Sequence, residues 1–123
     1  MKWEEIGHPA IRACGNIHGK DLVALSGTNS LTGLKKKLFT KPAQMVFEMK
    51  ILESDANKLS IDFGYCPLVS AWQKLKCSDE EIARLCDIAM EGDRGIAEMF
   101  GGKLKLGKTI ANGNKTCEIR FTK

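Results

Sequence analysis

Three cysteines are the residues of this sequence whose type and position best suit covalent chemistry. Cys66 precedes Pro67, where a predicted strand passes into a predicted helix. The N-terminus of a helix carries partial positive charge, which favours the nucleophilic thiolate form of a cysteine placed there. Cys117 alternates with Ile119 and Phe121 along another predicted strand, so its side chain faces inward. For both cysteines, the alternative interpretation is a small residue of the core.

Cys86, the third of these cysteines, stands beside a group of charged residues on a predicted helix. Asp87, Glu91 and Arg94 are spaced by four and three residues, so they share one helix face. Two carboxylates at this distance suit acid–base catalysis. The alternative is a solvated surface on which Arg84 and Arg94 balance the acids. The sequence leaves both interpretations open.

Metal and cofactor binding are not indicated. The three cysteines are separated by 20 and 31 residues, and these spacings match no standard zinc site. We therefore expect neither a metal nor a cofactor.

Hydrophobic periodicity predicts two hairpins that carry Cys66 and Cys117. Residues 45–52 and 59–65 alternate between apolar and polar positions on either side of a turn, which is typical of a β-hairpin. Residues 104–109 and 117–121 form a second pair of strands around an Asn-Gly-Asn turn.

Two predicted helices lie between the hairpins. Pro67 suits the first turn of one helix, and the capping-box pattern from Ser78 to Glu81 predicts the start of the other. Gly92 and Gly95 are expected to interrupt or end this second helix. The order ββααββ indicates an α+β fold, in which helices pack on one face of an antiparallel sheet.

Residues 1–43 form a poorly patterned N-terminal arm ahead of the α+β domain, which spans residues 44–123. The arm holds five glycines and a polar cluster at residues 26–30. It is predicted to be loop with one short strand from Asp21 to Leu25. Because so short a chain must cover two sheet edges, we expect a homodimer.

Composition excludes several classes of protein. The chain has 123 residues, of which 43% are hydrophobic, so one packed core is expected. The net charge of +4 is dispersed, and its one dense run, Lys35–Lys37 beside Lys41, favours a solvated surface over a phosphate-binding patch. We therefore expect no nucleic-acid partner. No apolar run is long enough for a membrane span, and Glu4-Glu5 stands where a signal peptide would be basic and then apolar. A cytoplasmic protein with no membrane partner is therefore predicted.

Five runs of residues stand in an order and spacing that match a known family: Tyr65–Leu68, Ser78–Asp87, Met90–Gly95, Lys108–Gly113 and Cys117–Phe121. In these runs the chain resembles the L-2-amino-thiazoline-4-carboxylic acid hydrolase family. The resemblance covers about residues 44–122. Members of that family carry helical sequence ahead of the first matched strand, where this chain reads as loop.

The resemblance implies hydrolytic opening of a 2-aminothiazoline ring, which gives a carbamoyl derivative of cysteine. Such a substrate has a carboxylate, for which Arg94 or Lys108 is the expected partner, and a cationic ring that Asp87 could hold. Cys66 or Cys86 could attack the ring carbon between nitrogen and sulfur. A carboxylate, Asp87 or Glu91, could instead activate water for the same addition. Cys117 is expected to line the substrate pocket.

A non-catalytic small-molecule-binding domain with a cysteine-lined pocket, like the 4-vinyl-reductase-like domains, is the alternative function. A third interpretation is an interaction domain in which the cysteines only fill the core. Convergence of Cys66, Cys86, Asp87 and Cys117 around one cavity would favour the hydrolase or the binding domain over the third interpretation.

All five cysteines are predicted to be reduced thiols, because their number is odd and no export signal is present. Titration of the denatured protein with a thiol reagent, without reductant, should find five groups. A count of three or fewer in freshly purified protein would show a disulfide and contradict this prediction.

Overall fold

A computed structural model describes residues 3–123 of the chain as five α-helices, four strands and one 3-10 turn. The helices are α1 (Trp3–Ser26), α2 (Leu31–Leu38), α3 (Lys41–Val46), α4 (Pro67–Lys74) and α5 (Asp79–Met99). The strands are β1 (Met49–Ser54), β2 (Lys58–Phe63), β3 (Lys103–Leu106) and β4 (Cys117–Thr122), and the 3-10 turn spans Ile110–Asn112.

The four strands form one antiparallel sheet in the order β1-β2-β4-β3. Along β4, Cys117, Ile119 and Phe121 are buried while the residues between them are partly exposed, as their alternation predicts. From β1 onward the elements follow the order ββααββ, with the 3-10 turn inserted before β4. The predicted α+β class and antiparallel sheet are confirmed.

One face of the sheet carries the hydrophobic core. Ile61 and Phe121 from the central strands pack in one cluster with Leu22 of α1, Leu34 of α2 and Ile96 of α5. Asp62 on β2 and Arg120 on β4 alternate with the core residues of their strands and form an ion pair, in which Arg120 Nη2 lies 2.8 Å from Asp62 Oδ1. Within residues 3–123, no helix combines the length and apolar character needed to cross a membrane.

The loop predicted for residues 1–43 is wrong from Trp3 onward, because residues 3–43 fold mainly into α1, α2 and the start of α3; residues 1 and 2 lie outside the described residues. The strand predicted from Asp21 to Leu25 belongs to α1. The first hairpin also begins later than expected, since Met45 and Val46 lie in α3 and β1 starts at Met49. Each glycine lowers helix propensity by about 1 kcal/mol relative to alanine. Tertiary packing of α1 overrides that penalty.

The prediction that Gly92 and Gly95 interrupt or end the second helix is also wrong, since α5 runs unbroken through both to Met99. The reason is the close approach of α1. A Cβ at Gly95 would lie 2.7 Å from the carbonyl oxygen of Arg12, and a Cβ at Gly15 would overlap the carbonyl group of Gly92. Glycine therefore serves here as a contact residue between two helices. Asn16 reinforces the contact, because its Nδ2 donates a hydrogen bond to the Gly95 carbonyl oxygen at 3.0 Å.

Substitution of two glycines in the same helix should have opposite effects on stability. Gly95→Ala places a methyl group against α1 backbone, and we expect a loss of about 1–3 kcal/mol in the free energy of unfolding. At Gly92 an added Cβ meets only Ile11 Cγ2, at 3.6 Å. Gly92→Ala should therefore be neutral or stabilise by up to about 1 kcal/mol. Denaturant unfolding measures both, and equal effects would contradict the proposed helix contact.

Candidate active site

A cavity of about 340 Å³ lies between the sheet and helices α2 to α5. Its walls are mainly apolar and aromatic, and three cysteines and one carboxylate interrupt them. The lining residues are Leu38, Phe39, Ala43, Phe47, Met49, Phe63, Cys66, Leu68, Trp72, Cys86, Ala89, Met90, Asp93, Cys117 and Ile119.

Cys66, Cys86 and Cys117 converge on this cavity from three different elements. Cys66 is the N-cap of α4, because Pro67 occupies the first helical position after β2. Cys117 begins β4 and pairs across the sheet with Phe63 at the end of β2. Cys86 reaches the cavity from the middle of α5. The three thiols therefore meet at one cavity, whereas Asp87, the fourth residue whose convergence was in question, does not line it.

Burial disfavours the thiolate forms of Cys86 and Cys117. Burial raises the pKa of Cys86 to about 11, and the nearby Cys117 and Cys66 add to this effect. Burial also raises the pKa of Cys117, although Ile110 N–H opposes the shift by donating a hydrogen bond to Cys117 Sγ at 3.2 Å. At neutral pH, Cys86 and Cys117 are therefore poor resting nucleophiles.

Asp93 is the carboxylate of the cavity, and no sequence pattern predicted a role for it. It lies seven residues after Cys86 and four after Ala89, so it continues the apolar stripe of α5 into the cavity wall. Burial raises its pKa to about 6, although the charges of His18 and Arg94 pull it downward. A carboxylate at an apolar stripe position is the signal that could have identified it.

Asp87, Glu91 and Arg94 come together as their spacing predicts, but they do not line the cavity. The Arg94 guanidinium lies 2.8 Å from Asp87 Oδ1 and 2.6 Å from Glu91 Oε1. Burial acts to raise the pKa of Glu91, but hydrogen bonds from Arg94 and Arg12 bring the net pKa below its usual range. The side chain of Asp87 is 57% exposed, and its Oδ2 lies 3.6 Å from His8 Nε2. Catalytic and substrate-binding roles for these residues stay predictions.

Within residues 3–123, no lysine, arginine or histidine lines the cavity. Lys108, a predicted partner of the substrate carboxylate, is exposed beyond β3, and its backbone N–H donates a hydrogen bond to Glu118 Oε1 at 2.8 Å. In the described part of the chain, no three Cys, His, Asp or Glu side chains are grouped as a metal site. The cavity thus offers one anion, three thiols and an apolar wall. Such a site can hold a cationic ligand and accept a proton from it or from water.

A solved structure with a similar fold is that of trafficking protein particle complex subunit 3 from Naegleria fowleri, covalently bound to palmitic acid. The two chains superpose with a TM-score of 0.59 over 99% of this chain and 82% of that one, at 14% sequence identity. At that identity the likeness concerns the fold alone. No curated protein matches the sequence significantly.

The family model for L-2-amino-thiazoline-4-carboxylic acid hydrolase matches residues 1–121. The match therefore extends well ahead of residues 44–122, which contain the five runs that resemble the family. It includes α1 to α3, which supply the helical sequence that members carry before the first strand. The chain belongs to the L-2-amino-thiazoline-4-carboxylic acid hydrolase family.

Proposed function

We propose that this protein is a hydrolase that opens a small carbon–nitrogen heterocycle of the 2-aminothiazoline-4-carboxylate type inside the cavity. The observation that carries the proposal is Asp93, an ionisable carboxyl group placed in an apolar wall beside three thiols. Burying a carboxylate in such surroundings opposes folding. Strongly shifted carboxyl groups in cavities are typical of functional sites.

The chemistry of the ring fits the single charge of the cavity. A 2-aminothiazoline is a cyclic isothiourea and carries a positive charge at neutral pH. Asp93 offers the carboxylate that can accept charge-assisted hydrogen bonds from its N–H groups. Trp72 and Phe63 supply aromatic surface, against which a cationic ring packs favourably.

The reaction then requires a base for water, and Asp93 has a suitable pKa. General bases work best with a pKa near the operating pH, and the pKa of Asp93 is raised to about 6. One carboxylate oxygen holds the ring while the other accepts a proton from water. The water oxygen bonds to the ring carbon between nitrogen and sulfur. The carbon–sulfur bond then breaks, and sulfur leaves with the bonding electrons and takes the proton from Asp93. The cationic ring becomes a neutral urea and releases its extra proton to solvent.

A thiol route through Cys66 is the alternative for the same reaction. In this route Cys66 attacks the ring carbon, and burial disfavours the same role for Cys86 and Cys117 by raising their pKa values. It lies at the N-terminus of α4, where the helix dipole favours negative charge. Cys66 sulfur would bond to the ring carbon as the ring carbon–sulfur bond breaks, and the ring sulfur would leave with the bonding electrons and take the proton of the Cys66 thiol. Water would then add to the same carbon, and the bond to Cys66 would break, which gives the urea product, restores the Cys66 thiol and releases one proton to solvent.

Substitution of Asp93 should separate catalysis from folding. We expect Asp93→Asn to lower kcat/KM for L-2-amino-thiazoline-4-carboxylate by at least ~100-fold, because the base and the ring's anionic partner are lost together. Release of the product thiol, measured over the background of protein thiols, follows the reaction. The control is Asp21→Asn, an exposed carboxylate on α1. Full activity of Asp93→Asn would refute the proposal.

Two further variants in the same assay distinguish the remaining assignments. In the water route Cys66→Ser keeps activity within about tenfold of the parent, whereas in the thiol route its activity falls as far as that of Asp93→Asn. Asp87→Asn tests the predicted role of that residue as the partner of the ring. A loss of at least ~10-fold with an unchanged melting temperature would place Asp87 in the reaction after all.

The charge of Asp93 should also leave a signature in stability. The pKa of Asp93 rises from 3.8 to about 6 on folding. Folding is therefore coupled to proton uptake between pH 3.8 and about pH 6, and above that range the ionised carboxylate opposes folding. The cost at pH 7 is roughly 2 to 3 kcal/mol. We expect Asp93→Asn to melt several degrees above the parent at pH 7, with the difference shrinking as the pH falls toward 4. Calorimetry at both pH values measures this, and a destabilised variant at pH 7 would contradict it.

A further inference from the structure

The cavity is larger than the compound for which the family is named requires. L-2-amino-thiazoline-4-carboxylate has about nine non-hydrogen atoms, whereas sites of ~300–1,000 Å³ typically enclose ligands of drug size. The cavity of this chain measures about 340 Å³ and falls within that range. A ring with a small polar substituent would leave part of the apolar wall without a partner.

The wall is also unsuited to a carboxylate substituent. Among the residues that the structure describes, Asp93 and the three thiols are the ionisable groups that line the cavity, and no cationic side chain lines it. A ligand carboxylate would lose its hydration without gaining a counter-ion, and it would lie near a like charge. Charge in the cavity therefore selects for a cation and against an anion.

Four aromatic side chains, Phe39, Phe47, Phe63 and Trp72, also line the cavity. Phe39 and Phe63 pack edge to face with ring centroids 6.3 Å apart, and Phe47 lies 5.3 Å from Phe63. Trp72 also lines the cavity, on the side of α4. Clustered aromatic side chains bind apolar and aromatic groups through large contact area and edge-to-face packing.

We propose that the ligand of this cavity is a cationic cyclic amidine that carries an aromatic or other bulky apolar substituent in place of the family compound's carboxylate. Asp93 binds the amidine, and Phe39, Phe47 and Phe63 enclose the substituent. The inference rests on the proposed function for the identity of the ring. The preference of the cavity for one substituent over another, however, is measured by ligand binding and requires no hydrolysis.

The test compares two rings that differ in one substituent. A Trp3→Phe variant leaves Trp72 as the single tryptophan of the chain, so its fluorescence reports binding in the cavity. We expect 2-amino-4-phenyl-4,5-dihydrothiazole to bind at least ~30-fold more tightly than L-2-amino-thiazoline-4-carboxylate. Equal affinity, tighter binding of the carboxylate, or no binding of the phenyl compound would overturn the proposal.

Asp93→Asn and a neutral ligand separate the charge contribution from the apolar one. The variant should lose at least ~10-fold affinity for the cationic phenyl compound. Its affinity for neutral 4-phenylthiazolidin-2-one should change by less than about threefold, because that ring has no charge to pair. Equal losses for both ligands would show that Asp93 only shapes the cavity, and would overturn its role in selecting cations. Leu75→Ala is the control, since that side chain is 74% exposed and lies outside the cavity.

The outcomes separate this inference from the proposed hydrolase. Selective binding of the phenyl compound without hydrolysis would support the ligand class and refute the reaction. Hydrolysis of the carboxylate compound with a higher kcat/KM than the phenyl compound would support the reaction and refute the ligand class.

Discussion

The contact between α1 and α5 is the constraint on which the rest of the molecule depends. Glycines at the interface let the two backbones approach more closely than any side chain would permit, as at Gly15 and Gly95. This contact fixes the rotation of α5 about its own axis. With Gly95 facing α1, the opposite side of the helix presents Cys86, Ala89 and Asp93 to the sheet, where they form one wall of the cavity. The helices at the N-terminus thereby orient a site to which α1 contributes no lining residue.

That orientation places the carboxyl group of Asp93 in the apolar wall of the cavity, where its burial opposes folding. Asp93 occupies a stripe position that an apolar residue would fill at no cost in charge burial, and its pKa is raised in consequence. By contrast, Glu91 lies on the other side of the same helix, and its pKa is lowered because Arg94 and Arg12 outweigh the effect of burial. The two carboxylates thus differ in role because their surroundings differ. Glu91 joins helices α1 and α5, and Asp93 gives an apolar cavity its charge.

Sequence patterns predicted the elements whose signals are local. The alternation along β4 and the capping box that begins α5 at Ser78 are both present in the structure. The helices before β1 were missed because Gly7, Gly15 and Gly19 weaken helix propensity, and only the partner helix shows why they are tolerated. Asp93 was missed for a related reason. Spacing shows which residues of a helix share a face. It does not show whether that face packs against solvent, another helix or a cavity, so spacing alone could not predict the position of Asp93 in the cavity wall.

Direct titration of the Asp93 carboxyl group tests the central claim, that an ionisable carboxylate faces an apolar cavity and holds a cationic ring. Carbon NMR of the side-chain carboxyl groups, assigned by comparison with Asp93→Asn, gives its pKa in the free protein. The account predicts a pKa of about 6, which moves lower when 2-amino-4-phenyl-4,5-dihydrothiazole is added, because a bound cation opposes protonation. A pKa near the usual aspartate value of 3.8, unchanged by the ligand, would contradict it.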